Sequence, residues 1–161
     1  MSTGQAVIKN NVTRLLDSRQ IVYEAYELPG SDKRSAEETA ALLGVPPEIV
    51  YKTIVIVRDK GKPILCMIPG TAEVNLKRLA AQLGEKKLRL PTQREAEALT
   101  GLQAGGISPL ALLNKGFQIC LDRAAEQHAT IHISGGQRGL NVRLPVADLV
   151  ALTGTRWVEA T

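Results

Sequence analysis

Apolar residues along this chain recur with two different periods, and the switches between them mark out its elements. Ile8, Val12, Leu15 and Leu16 fall at helical spacing, which predicts a helix over residues 7–19. Residues 22–27 read as a strand with Tyr23 and Tyr26 on opposite faces. Ser35-Ala36-Glu37-Glu38 forms a capping box that opens a helix through Leu43, and Gly44 supplies the stop. Val45-Pro46-Pro47 then imposes an extended entry into Val50–Val57, where seven of eight residues are aliphatic, aromatic or β-branched and a strand is expected. Arg58-Asp59-Lys60-Gly61-Lys62 reads as a hairpin turn, returning as a strand over residues 63–68.

The second half repeats these signals. Asn75 caps a helix over residues 76–83 that turns Leu76, Leu79, Ala80 and Leu83 inward and Lys77 and Arg78 outward, and Gly84 ends it. Residues 86–90 form a short strand. Thr92-Gln93-Arg94-Glu95 is a second capping box, whose helix Gly101 closes. Residues 103–110 are a loop by composition. Strands are expected at 118–121 and 130–133 with a helical turn between them, then at 140–144 and 156–158. Pro145 suits the first position of a helix running through Leu152. Strands outnumber helices and occur both as hairpin-like pairs and with helical crossovers, so an α+β class with a mixed sheet is expected.

Within 161 residues, 44% hydrophobic and 22% charged, a single globular domain fits without staples. The N-terminal residues lack a basic start and apolar stretch, and no apolar run approaches a membrane span, so a cytoplasmic location is expected. Cys66 and Cys120 lie in apolar runs without Cys-x-x-Cys spacing, which suits buried hydrophobes in a reducing compartment. A net charge of +4 permits a polyanionic partner, and with aromatics at 3% any nucleic-acid contact falls mainly on phosphates. The densest basic cluster is Lys77, Arg78, Lys86, Lys87 and Arg89; a solvated face is its commoner role, and phosphate binding its sharper one.

One polar residue interrupts the strand at 50–57: Lys52. Its ammonium either snorkels outward from a strand end or stands in a cleft awaiting a phosphate or carboxylate. Two glycine-rich loops, Gly105-Gly106-Ile107-Ser108-Pro109 and Ser134-Gly135-Gly136-Gln137-Arg138-Gly139, let backbone approach a ligand. Taken singly, each is more commonly a tight turn. Neither has the Walker A or dinucleotide spacing. Ser108 does not fit a nucleophile elbow, and Thr130-Ile131 between His128 and His132 argues for strand over a shared metal face. Both histidines read as surface or structural. No nucleophile, carboxylate pair or metal cluster stands out.

Val50-Tyr51-Lys52-Thr53 and the two glycine loops together, in this order, resemble the YbaK/EbsC family. Its members are free-standing relatives of the editing domain inserted in bacterial prolyl-tRNA synthetases. The likeness runs from the first helix to Ala147-Asp148-Leu149 and Leu152-Thr153-Gly154. It implies one domain over residues 1–161, with a mixed, partly barrel-like sheet surrounded by helices. It also implies trans-deacylation of a mischarged aminoacyl-tRNA, with Cys-tRNA(Pro) the leading substrate, no cofactor or metal, and prolyl-tRNA synthetase a candidate partner. By the same resemblance, Lys52 holds the acceptor-end phosphate or ribose, and amides around Gly106 and Ile107 polarise the aminoacyl carbonyl. Ser134 and Gly135 shape the opposite wall. Tyr26, Thr53, Gly105 and Ser108 are further substrate-binding candidates, as is Asn141, which stands where some cysteine-removing members carry Asp. The attacking group is water, a ribose hydroxyl or the substrate's own thiol, and catalysis is chiefly positioning. A non-catalytic module that binds the acceptor end or a synthetase is the alternative, and a small-nucleotide or phosphate-ester hydrolase a third.

Overall fold

The computed structural model describes residues 8–30 and 34–161. Helix α1 (Asn11–Ser18) begins later than its periodicity predicts. The reason is a reciprocal cap: Asn10 accepts from the Thr13 N–H and Thr13 Oγ1 accepts from the Asn10 N–H, which holds Asn10 itself extended and outside the helix. Ile8 therefore lies outside the helix, yet it packs on the same core as Val12 and Leu16. Val7, the first residue of the expected helix, lies outside the described residues. Strand β1 (Glu24–Glu27) is also shorter than expected. Tyr23 precedes it and donates its hydroxyl to Asp17 Oδ1 at 2.8 Å.

Helix α2 (Ala36–Leu43) carries the predicted Ser35–Glu38 capping box and ends on Gly44 at φ +69°. Pro46 is extended as expected, but Pro47–Ile49 form a short 3-10 turn before the chain extends again at Val50. The hairpin follows as predicted, with β2 (Tyr51–Arg58) antiparallel to β3 (Ile64–Pro69). Next come α3 (Leu76–Leu83), β4 (Leu88–Arg89), α4 (Gln93–Thr100), β5 (Gln118–Asp122), β6 (Thr130–Ser134), β7 (Leu140–Pro145), α5 (Val146–Thr153) and β8 (Arg156–Val158). Pro145 is the residue before α5, not its first helical position.

The strands form two sheets where one was expected, and neither closes into a barrel. One is antiparallel, in the order β1-β7-β6; the other is mixed, in the order β4-β2-β3-β5-β8, with β3-β5 and β5-β8 parallel. A single parallel bridge, Val50 to His132, joins the start of β2 to β6. The larger sheet is covered on both faces. Leu65, Met67, Ile119 and Leu121 turn toward α1, α5 and the smaller sheet, whereas Ile64, Cys66, Ile68 and Cys120 turn toward Leu79 of α3. That explains why β3 reads as an unbroken apolar run, since each side of its pleat is buried. Cys66 and Cys120 are register partners, buried free thiols whose pKa values burial pushes up, that of Cys120 to about 11.

Gly70 follows β3 and donates its N–H to the Val50 carbonyl at 2.8 Å. A Cβ there would stand 2.8 Å from that same oxygen and overlap the side chain of Ala36. Gly70→Ala is expected to lower the unfolding free energy by about 1–3 kcal/mol, as overpacking does. Urea titration followed by circular dichroism checks it; an unchanged midpoint would show that α2 can move aside at no cost.

Candidate functional site

Strand β2 has a neighbour on its outer edge only at its two ends. Val50 bridges to His132, and Val57 and Arg58 pair with β4, while among the described residues no strand lies beside 51–56 on that side. An unpaired edge turns alternate N–H and C=O groups outward. Here they face a cleft of about 610 Å³, lined by Tyr51 through Val55, by α2, by the segment from Leu90 to Gln93, and by both glycine loops. That volume suits a small organic ligand or the end of a larger one.

Lys52 enters this cleft half-buried, and among the described residues its ammonium has no hydrogen-bond or ion-pair partner. Among the described residues, Arg34 and Arg138 line the cleft too, with Glu37 the carboxylate beside them. An excess of cations over anions in this described lining favours an anionic ligand. Lys52 thus lines a cleft of the kind that the sharper of its two readings requires.

The glycine loops meet backbone to backbone. A Cβ on Gly106 would stand 2.9 Å from Gln137 Cα, Gln137 C and Arg138 N, so only glycine permits the approach. Arg138 ties the pair by donating Nε–H to the Ala104 carbonyl at 2.6 Å, and Asn10 Nδ2 donates to Gly135 O at 2.8 Å. Ser134 Oγ accepts from the Gly136 N–H at 3.2 Å and lies 3.4 Å from Gly105 O.

Six of the ten expected site residues come together on the cleft wall: Lys52, Thr53, Gly105, Ile107, Ser134 and Asn141. Four do not. Gly106 is buried under the other loop and its N–H donates to Gln103 O at 2.8 Å, whereas the neighbouring Ile107 N–H has no protein acceptor among the described residues. Ser108 is fully buried and its hydroxyl accepts from the Leu110 N–H, a local turn cap. Gly135 is buried, its N–H donating to Leu140 O and its carbonyl accepting from Asn10. Tyr26 sits behind the wall, its ring 6.0 Å from that of His132.

Three residues that line the cleft or bond to its walls carry no direct sequence signal of their own. Arg138 lies inside a glycine loop but belongs to no motif, and Asn10 reads as an ordinary polar residue of a helix. His132 is the third. It is structural, as expected, and 1% exposed, but its Nδ1 lies 2.7 Å from Asn141 Oδ1, directly behind the cleft. Burial pushes its pKa below the usual histidine value. Its alternation with Ser134 on one strand face was the available signal. His128 is half-buried and stands edge-on to Tyr51.

The basic cluster stays outside the cleft lining. Lys77, Arg78, Lys86, Lys87 and Arg89 are all exposed, and two of them are paired, Arg78 with Glu159 at 3.3 Å and Arg89 with Glu95 at 3.0 Å. Arg89, and then the Thr92 N–H, hold the Glu95 carboxyl down at about 2.

A mixed α+β fold with a cationic cleft walled by two interlocked glycine loops defines a class. The aminoacyl-tRNA editing domain matches residues 31–152, and the chain belongs to this family. A protein of Enterococcus faecalis named "Putative Cys-tRNA(Pro)/Cys-tRNA(Cys) deacylase EbsC" is 35% identical over 154 residues, covering 95% of this chain and 93% of that one. The proline–tRNA ligase of Nitratidesulfovibrio vulgaris is 36% identical over 86 residues, which are 53% of this chain and only 15% of the ligase. A solved structure described as "a putative trans-editing enzyme for prolyl tRNA synthetase" superposes with a TM-score of 0.80 at 26% identity, over 96% of this chain and 98% of that one. Among the described residues no helix is long and apolar enough to cross a membrane.

Gly106→Ala is expected to prise the loops apart without unfolding the sheets. Amide hydrogen exchange should rise at least about tenfold in residues 103–107 and 134–139, the equivalent of about 1.4 kcal/mol of local stability, and stay constant in β3 and β5. Unchanged protection in both loops would contradict the interlock.

Proposed function

We propose that this chain is a trans-acting aminoacyl-tRNA deacylase that removes a mischarged small amino acid, with Cys-tRNA(Pro) the leading substrate. One observation carries the reading: Lys52 and Ile107 line one small cleft, and among the described residues neither the Lys52 ammonium nor the Ile107 N–H has a partner. The lysine supplies a fixed positive charge for a phosphate or the ribose of the terminal adenosine. The amide supplies a donor for the ester carbonyl, whose oxygen gains charge as a nucleophile adds. Water, a neighbouring ribose hydroxyl or a substrate thiol delivers the attack, so the protein contributes position and polarisation in place of its own nucleophile. A second site of this kind matters because a synthetase pocket rejects a similar-sized or smaller amino acid by only a modest factor. Likeness to an editing protein and to a proline–tRNA ligase supports a role beside prolyl-tRNA synthetase, in the cytoplasm where charging occurs.

The test is a deacylation panel with tRNA(Pro) carrying Pro, Cys or Ala, and with Ser- and Thr-charged tRNAs. Selective release from one wrong pairing is expected. Lys52→Ala should lower kcat/KM by about 100-fold or more, the scale of removing one preorganised electrostatic contact, with its unfolding midpoint unchanged. Full activity in that variant would remove Lys52 from the mechanism. Release from no pairing, with measurable tRNA binding, would favour a non-catalytic acceptor-end module. Equal rates on free aminoacyl nucleotides would favour a small-ester hydrolase.

A further inference from the structure

The smaller sheet has one apolar and one polar face. Ile131, Ile133, Val142 and Leu144 turn to the core. In register, Ser134 stands opposite Asn141, His132 opposite Arg143, and Tyr26 opposite Asn141 on the other side. Cross-strand partners share a face, so these five residues form one polar layer that ends in the cleft at Ser134 and Asn141.

Asn141 is 6% exposed, and its Oδ1 lies 2.7 Å from His132 Nδ1. Two buried side-chain polar atoms among the described residues lack any partner, the Tyr51 hydroxyl and His132 Nε2. Asn141 Nδ2 is not one of them, although no protein acceptor meets it, so it keeps its access to the cleft. Two proton arrangements fit the heavy atoms. In one, Nδ1–H donates to Oδ1, Nε2 keeps an unfilled lone pair, and the Asn141 NH₂ faces the cleft. In the other, the amide is turned over, Nδ2 donates to Nδ1, and Nε2–H is stranded in a site 1% exposed. The atom placed 2.7 Å from Nδ1 is Oδ1, which can only accept, and an orphaned buried N–H is the rarer defect; both select the first arrangement. Burial is the largest influence on the ring and disfavours the imidazolium, as does the Arg143 guanidinium. Together they outweigh the opposing pull of Asn141 Oδ1 and Glu24, so a neutral ring with one proton to place is favoured.

We infer that His132 is a positioning residue that locks Asn141 as a hydrogen-bond donor toward the cleft. The group taken beside Asn141 is then an acceptor, the hydroxyl or thiol of a small aminoacyl side chain, and not its ammonium. The substrate part rests on the deacylase reading above; the lock itself does not. It predicts that the site favours Ser-, Cys- or Thr-type side chains over Ala, which offers Asn141 nothing.

Two measurements test this separately. Heteronuclear NMR of the imidazole nitrogens should find His132 with its proton on Nδ1; a proton on Nε2 would overturn the lock, whatever the activity. In the deacylation panel, His132→Phe keeps the ring volume but removes the donor. It should lower kcat/KM on the preferred hydroxyl- or thiol-bearing substrate by about tenfold, as loss of one oriented hydrogen bond does. Release of Ala should change by less than about twofold. Its thermal stability should change little, because the unsatisfied buried Nε2 is gone while Asn141 Oδ1 loses its donor. His132→Asn puts an amide nitrogen near the Nδ1 position. It should recover most of the selectivity while losing stability to the cavity it leaves. A merely structural histidine would make activity follow stability across the two variants, and that pattern would overturn the inference, as would unchanged selectivity in His132→Phe. Failure of the wild type to release any amino acid would defeat the deacylase reading and the substrate assignment together, while the NMR result would still decide the lock.

Discussion

The contact of Gly106 with the backbone of Gln137 and Arg138 is the constraint on which the site depends. With 2.9 Å available to a would-be Cβ, the two loops can meet only where one contributes no side chain. Their meeting sets where the Ile107 amide points and where Ser134 stands. Arg138, bonded to the Ala104 carbonyl, and Asn10, bonded to Gly135, clamp the arrangement from either side. Asn10 also caps α1, so one side chain couples the start of a helix to a wall of the cleft. Rigid backbone of this kind suits a site that works by positioning.

The cleft exists because the larger sheet is left unfinished. Strand β4 is two residues long and pairs only with the end of β2, while β6 touches only its start. Between them the edge is open, and the segment from Leu90 to Gln93 and α2 rise around it. An open edge is ordinarily a hazard for association between sheets. Here it is recessed, and its surroundings carry Arg34, Lys52 and Arg138. The polar layer behind it, His132 with Asn141, sets hydrogen-bond polarity where the smaller sheet meets the cleft.

Local chemistry made most elements legible. The capping boxes at Ser35 and Thr92, the Asn75 cap and the glycine stops at 44, 84 and 101 all mark helices at their observed ends, because these signals act within one turn. The β2–β3 hairpin was equally plain. Local chemistry misled at α1, where reciprocal capping by Asn10 and Thr13 overrode the apolar period, and at the Pro47 turn. Of the expected site residues, Lys52, Thr53, Gly105, Ile107, Ser134 and Asn141 share the cleft, whereas Ser108 and Gly135 share only its loops. A motif names a loop; which of its atoms face outward depends on what packs behind.

The amino-acid sequence by itself determined the α+β class, the elements and the pairing of Lys52 with two glycine loops, since each follows from patterns a few residues long. Tertiary structure decided that the sheet is split in two, that residues 51–56 lack a neighbour on one edge, that Gly106 is spent on packing while the Ile107 amide is left available, and that a buried histidine stands behind Asn141. All of these join segments distant in the chain, such as Gly106 with Gln137 and Asn10 with Gly135. Contacts of that separation leave no periodic trace, because they are fixed by how whole elements pack and not by any local preference.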